Sequence, residues 1–172
     1  YMLLWEGKNQ IEEKDFSLKF FEESHLNFFK SVLKKGDSVL EIGCNMGAAL
    51  HSLQKNGFKV SGCDFHEEAL KLARIKTPQA DIRKGSIKSF LDSEKRFNAI
   101  YLSHVLEHVA NLEELLRDIY KLLVPNGYVI LEVPGFKNWI INKKERFNIS
   151  NSTFQFAHVS YFSPNTLEYI FE

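Results

Sequence analysis

Two sets of residues in this chain have types and spacing that suit chemistry. The first is Glu41-Ile42-Gly43-Cys44-Asn45-Met46-Gly47, an acid two positions ahead of one glycine, with a second glycine four positions further on. The second is His104, Glu107 and His108, with His158 later in the chain. Spaced i, i+3, i+4, the first three share one face if their segment is helical. Two imidazoles and a carboxylate suit either proton transfer near neutral pH or half of a metal site, with His158 as a fourth ligand. Asp64 is a third point of interest. It lies about 20 residues beyond the glycine turn, where nucleotide-binding sheets hold a pair of ribose hydroxyls.

These residues need elements to position them. Residues 39–42 are a short apolar run that reads as a strand buried on both faces. The run breaks at Gly43, and a helix restarts near Met46 and Gly47, covering 48–56 and stopping at Gly57. Glycines in such a turn let a ligand approach the main chain closely. Strand, glycine turn and helix together open a nucleotide-type site at the carboxyl edge of a parallel sheet. A dinucleotide site wants G-x-G-x-x-G and seats a pyrophosphate on the helix N-terminus. Here the spacing is G-x-x-x-G and Glu41 would repel a pyrophosphate, which disfavours a nicotinamide-linked oxidoreductase. S-adenosylmethionine has no phosphate and carries a cationic ammonium and sulfonium, so an acid at this position is useful.

Strands and helices alternate along the rest of the chain. A helical pattern runs from residue 15 through Leu18, Phe21, His25 and Val32. Residues 58–63 form a strand ending at Asp64; a helix follows, for which Asp64 is an alternative N-cap and across which Glu67 and Lys71 can pair. Residues 80–84 and 97–102 read as further strands, and Asn111 with Glu114 forms a capping-box variant opening a helix over 112–123. A turn at Pro125-Asn126-Gly127 leads into a strand over 128–133. The alternation predicts one parallel sheet with helices on both faces. Residues 135–157 are a long connection with Phe136, Trp139, Phe147, Phe154 and Phe156, read as an acceptor-binding lid; Lys143-Lys144-Glu145-Arg146 is its solvated tip.

On these residues the chain resembles the class I S-adenosylmethionine-dependent methyltransferases, whose first motif runs acid-x-Gly-x-Gly-x-Gly. Glu41, Gly43 and Gly47 match it, and Asn45, which also accepts left-handed backbone, stands at the middle glycine. Leu106-Glu107-His108-Val109, the Leu-Val-Pro-Asn-Gly-Tyr string at 123–128, and His158 with Tyr161-Phe162 and Ser163-Pro164 are similar to a bacterial branch acting on small molecules and saccharides. The resemblance implies an α/β, Rossmann-like three-layer sandwich with a mainly parallel sheet of order 3-2-1-4-5, its C-terminal antiparallel hairpin absent or truncated. One domain over 1–172 would divide into a helical cap (1–36), a cofactor-binding core (37–134), and an acceptor-side loop with the last helix (135–172).

The same resemblance implies S-adenosyl-L-methionine as cofactor and S-adenosyl-L-homocysteine as product. Glu41, Gly43 and Gly47 would hold the methionine end, Asp64 the ribose, and Phe65, Ser86 and Ile87 the adenine, with Cys44, Asn45 and Ser103 also at the cofactor. Ser86 stands where the family often has an acid for the adenine amino group. Phe20, Phe21 and His25 are lid candidates over the cofactor.

Three readings remain for the histidine cluster. H-x-x-E-H is the sequence form of inverzincin proteases, but that motif belongs on a long helix of another fold. Some ubiquinone-biosynthesis O-methyltransferases and small-RNA 2′-O-methyltransferases carry a similar Glu-x-x-Glu-His turn holding a divalent ion; His104 stands here at the first Glu. In the plainest reading, His104, Glu107, His108 and His158 are polar walls of the acceptor pocket, with His104 or His108 as base for a hydroxyl. No metal is favoured, and His104, Glu107, His108 and His158 are the ligands if one is used.

Composition narrows the field. Lys+Arg and Asp+Glu are both 22, so the formal net charge of +0 gives no electrostatic case for nucleic acid or an anionic membrane. Two cysteines, Cys44 and Cys63, make no disulfide framework and no zinc knuckle. No apolar run is long enough to span a bilayer and no signal peptide is evident, which points to a cytoplasmic setting. The expectation is an S-adenosylmethionine-dependent O-methyltransferase of a small metabolite or saccharide. The alternatives are a non-catalytic S-adenosylmethionine-binding module and a metal-assisted O-methyltransferase of a diol, RNA 2′-OH included. The sequence leaves the oligomeric state open.

Overall fold

The computed structural model describes residue 21, residues 23–134 and residues 158–171. The proposed lid at 135–157, the start of the first helical pattern at 15–20 and the lid candidate Phe20 lie outside the described residues. Five strands form one sheet in the order β3-β2-β1-β4-β5, every neighbouring pair parallel. They are β1 (Ser38–Ile42), β2 (Lys59–Asp64), β3 (Asp81–Lys84), β4 (Phe97–Ser103) and β5 (Leu123–Glu132). The expected order holds. Among the described residues no antiparallel strand pairs with β5.

The helices are α1 (Glu23–Val32), α2 (Ala48–Lys55), α3 (Glu67–Lys76), α4 (Leu112–Leu122) and α5 (Pro164–Phe171), with single 3-10 turns at Ile87–Phe90 and Leu106–His108. Alternate residues of β1 point to opposite faces, so Val39 joins a core with Phe29, Leu50, Leu53 and Leu70 from α1, α2 and α3. Leu40 and Ile42 join the other core, with Leu106, Leu115, Ile119 and Leu122, against which Leu167 and Ile170 of α5 also pack. Full burial of one side chain such as Phe29 or Leu40 stabilises the fold by about 1.5–3 kcal/mol. A sheet covered on both faces leaves the ends of its strands as the place for a ligand.

Local chemistry explains the boundaries. Asn111 caps α4 by accepting from the Glu114 amide at 3.1 Å, as its capping box predicts. Thr77 stops α3, with its hydroxyl donating back to the Ala73 carbonyl at 2.5 Å. Other expectations need correction. The N-cap of α3 is His66, whose Nδ1 accepts from the Ala69 amide at 3.2 Å, and not Asp64. Lys71 pairs with Glu68 at 2.8 Å, and Glu67 turns to Arg74 at 2.8 Å instead of to Lys71. β5 begins at Leu123: the Pro-Asn-Gly stretch bulges within the strand, so that Phe97 faces Leu123 while Ala99 already faces Tyr128. Asn126 takes the positive φ of 60° that this bulge needs.

Candidate active site

The turn after β1 is built around backbone that most residues resist. Gly43, Asn45 and Gly47 all have positive φ, at 75°, 46° and 76°. A Cβ on Gly43 would meet Val105 Cγ2 at 2.5 Å, which ties this turn to the one after β4. A Cβ on Gly47 would meet Cβ of Ala73 at 2.9 Å, so this second glycine serves the approach of α2 to α3. Asp64 braces the turn from β2. Its Oδ2 accepts from the Asn45 amide at 2.9 Å and its Oδ1 from the His66 amide at 2.8 Å. Each oxygen keeps a lone pair for a further donor.

Glu41 sits one position short of the end of β1 and is only 6% exposed. Its Oε2 is buried without a hydrogen-bond partner. Burial pushes its carboxyl well above the usual range; a backbone hydrogen bond at Leu50 opposes this, and nearby Asp64 adds to it. A buried carboxylate with a free oxygen is costly unless a cation or donor meets it. This chemistry fits a cationic ligand. Cys44 is buried in the core with its Sγ against Gly62, and burial pushes its thiol up and that of Cys63 to about 12. Neither thiol is a nucleophile near neutral pH.

A cavity of about 410 Å³ opens at the carboxyl ends of the strands, lined by Gly43, Asp64, Phe65, Ser86, Ile87 and His108 among others. Phe65 is 73% exposed, an aromatic face available for a planar ring. Ser86 spends its hydroxyl oxygen on the Lys88 amide at 3.3 Å, while Asp81 turns away to Arg83 and Lys95, both at 2.7 Å. Glu41, Cys44, Asn45, Gly47 and Ser103 are not in the wall of this cavity.

The histidine cluster does not form one helical face. His104 precedes the 3-10 turn with φ 52° and its side chain is 58% exposed, whereas the Glu107 side chain is 1% exposed. Nδ1 of His104 stands 3.4 Å from Oε1 of Glu107, an ion-pair distance without hydrogen-bond geometry, and both carboxylate oxygens of Glu107 lack a hydrogen-bond partner. The chain after residue 157 returns to this point. Val159 and Ser160 amides both donate to the Glu107 carbonyl, at 2.8 and 3.2 Å, and the His158 ring meets the His108 ring at 4.9 Å. Ligand atoms of Glu107, His108 and His158 lie within 4.8 Å of one another; His104 is not part of that group.

Sequence reading missed one residue here. Glu132 ends β5 opposite Ser103 and gathers Tyr101, Ser103, His25 and His104 around its carboxylate. The available signal was an acid closing an apolar strand, the same signature as Glu41 and Asp64. His25 therefore faces Glu132, and Phe21, 4% exposed, packs in the core against His25, Phe29 and Tyr101.

A family model described as "Methyltransferase domain" matches residues 15–172. Among curated proteins, a ubiquinone biosynthesis O-methyltransferase of Alkalilimnicola ehrlichii is 29% identical over 101 residues, covering 56% of this chain and 41% of that protein. A mitochondrial one of Arabidopsis thaliana is 27% identical over 103 residues, covering 56% and 32%. The chain thus spans less than half the length of these two relatives. An S-adenosylmethionine-dependent methyltransferase structure from Archaeoglobus fulgidus superposes with a TM-score of 0.64 at 22% identity, covering 86% of this chain and 64% of that one. A TehB-like methyltransferase from Corynebacterium glutamicum gives 0.56 at 24% identity, covering 61% and 59%. At these identities the likeness to solved structures speaks for the fold alone.

Proposed function

The chain belongs to the methyltransferase domain family, and on that premise we propose that it is an S-adenosylmethionine-dependent methyltransferase acting on a hydroxyl of a small molecule. The observation that carries this reading is the unpartnered, buried oxygen of Glu41 beside a glycine turn that is braced by Asp64. When bound, S-adenosylmethionine supplies an electrophilic methyl group on a sulfonium. Glu41 meets the cationic methionine end, Asp64 accepts from the ribose hydroxyls, and Phe65 covers the adenine. The acceptor enters beside His104 and His108, where an imidazole nitrogen takes the proton leaving the hydroxyl. Most of the acceleration comes from holding the acceptor in line and keeping water out, a task the reading gives to the 37–134 core, the 1–36 cap and the segment from 135 on. Isothermal titration with S-adenosylhomocysteine tests the cofactor, and methyl transfer to a panel of phenols, catechols and saccharides tests the acceptor. The names of the ubiquinone biosynthesis relatives favour phenolic acceptors at the head of that panel.

A second reading has its own observation. Glu107 is buried with both oxygens unpartnered, and His108 and His158 close on it to within 4.8 Å. A divalent ion there, held by one carboxylate and two imidazoles, would bind a diol acceptor and lower the cost of removing its proton. His104 stays outside that set as the base.

A further inference from the structure

We propose that Glu132 is the positioning residue of the acceptor side, holding His25 and His104 on one carboxylate. The inference rests on the methyltransferase reading for its purpose, but its geometry stands apart from the cofactor. Glu132 is the last residue of β5, paired with Ser103 at the carboxyl end of the sheet, the end where open α/β sheets bind ligands.

Two hydroxyls fix the carboxylate. Tyr101 Oη donates to Oε2 at 3.0 Å and Ser103 Oγ donates to the same oxygen at 2.8 Å. Both come from β4, two residues apart and so on one face of the sheet. Burial keeps the Tyr101 phenol well above its usual range, so it remains a donor. With Oε2 engaged by two donors, the carboxyl cannot rotate freely, and Oε1 is aimed at the imidazoles. Nε2 of His25 stands 3.4 Å from Oε1 and Nε2 of His104 stands 3.8 Å from it. The His104 backbone is bound as well, its amide donating to the Glu132 carbonyl at 2.9 Å.

The carboxylate is held in its charged form. Burial pushes its carboxyl up, but the Ser103 and Tyr101 hydroxyls and the facing His25 and His104 outweigh this, and the net direction is down. A carboxylate facing one imidazole nitrogen places the ring proton on that nitrogen and leaves the other as acceptor. For His25 the Nε2–H tautomer is therefore expected, although the 3.4 Å contact with Glu132 is an ion-pair distance without hydrogen-bond geometry. His104 is reached by two carboxylates, Glu107 at Nδ1 and Glu132 at Nε2. His104 has a positive φ of 52°, and its side chain is 58% exposed. A purely structural account of Glu132 explains the two hydroxyl bonds but not why two histidines from separate elements share its other oxygen.

The test uses the whole chain, 15N-labelled at histidine, with side-chain resonances of His25 and His104 assigned from His25→Gln and His104→Gln. In the parent protein His25 is expected as the Nε2–H tautomer. Glu132→Gln, nearly the same shape without the charge, is expected to shift both the His25 and His104 imidazole signals while those of His51 and His66 stay in place. S-adenosylhomocysteine affinity is expected to change by less than about threefold, as for a site not in contact with the cofactor. Unchanged His25 and His104 signals in Glu132→Gln would overturn the proposal. So would a loss of S-adenosylhomocysteine binding in step with the imidazole changes, which would make Glu132 part of the cofactor site or of the fold. Tyr101→Phe separates these outcomes from misfolding: it frees the carboxylate on one side and is expected to move the same two imidazole signals by less. If the parent protein itself binds no S-adenosylhomocysteine, the cofactor reading fails while the imidazole response still decides the role of Glu132.

Discussion

The carboxylate of Asp64 accepts the amide of Asn45 at 2.9 Å, so the end of β2 holds the turn that follows β1 in its left-handed shape. One side chain thereby fixes the backbone of that turn and still keeps lone pairs for a further donor.

Asp64→Ala should therefore weaken S-adenosylhomocysteine binding more than the loss of a ribose contact alone. Removing a charged acceptor from such bonds costs about 1.5–3 kcal/mol, roughly a ten- to hundredfold weaker Kd. Asp64→Asn can still accept from the Asn45 amide through its side-chain oxygen and should recover part of the loss. Equal losses in both variants, read by calorimetry, would mean that charge alone matters and the turn does not.

Glu41 gives a stability prediction of opposite sign to its proposed binding role. Its carboxyl lies well above the ordinary value of 4.5, so the fold favours the protonated form. The associated stability is fully present below pH 4.5 and is lost as pH rises through the raised folded value. Glu41→Gln mimics the protonated form. It should melt with the parent near pH 4.5 and above it at pH 7, by about 2–4 °C for each kcal/mol relieved. The same variant should bind S-adenosylhomocysteine at least about tenfold more weakly, through the lost cation contact. A variant that melts lower than the parent at pH 7 would show that Glu41 is already satisfied without ligand.

Gly47 is expected to matter for stability before it matters for binding. A Cβ there meets Ala73 Cβ at 2.9 Å and its α-carbon at 3.1 Å, and φ is 76°. Strain and overpacking of this kind cost about 1–3 kcal/mol each, so Gly47→Ala should lower Tm by several degrees in thermal melts. Pairing it with Ala73→Gly should return part of that loss, because the contact is with Ala73. Ala73→Gly carries its own helix cost of about 1 kcal/mol, so the comparison is with that single variant. An unchanged cost of Gly47→Ala in its background would place the whole loss in the backbone angle.

The metal reading makes a discriminating prediction about which residues hold an ion. If a divalent ion binds at Glu107, His108 and His158, Glu107→Gln should abolish its uptake in elemental analysis, and His104→Gln should leave stoichiometry unchanged. Retained ion in Glu107→Gln would remove the site.

Much of this arrangement was legible before any coordinates, for reasons that differ by residue. Glu41, Gly43 and Asp64 are local signals: an acid or glycine at the end of an apolar run keeps its meaning wherever the strand lies in the sheet. The capping of α4 by Asn111 is local too. What escaped depends on tertiary meetings. His104, Glu107 and His108 have helical spacing, but the regular turn there spans only Leu106–His108, so His104 falls outside it and Glu107 turns inward. Glu132 reads as one more strand residue until His25, 107 positions earlier in the chain, is brought to 3.4 Å from it. The Leu-Val-Pro-Asn-Gly string looks like a plain turn because sequence does not show that Leu123 already pairs with Phe97.

The central claim is that the glycine turn and Glu41 hold S-adenosylmethionine. Calorimetric titration of the whole chain with S-adenosylhomocysteine, with NAD in a parallel run, addresses it most directly. The account predicts one molecule bound per chain, affinity reduced at least about tenfold in Glu41→Gln, and no heat from NAD. No binding of S-adenosylhomocysteine, or equal binding by the parent and Glu41→Gln, would contradict it.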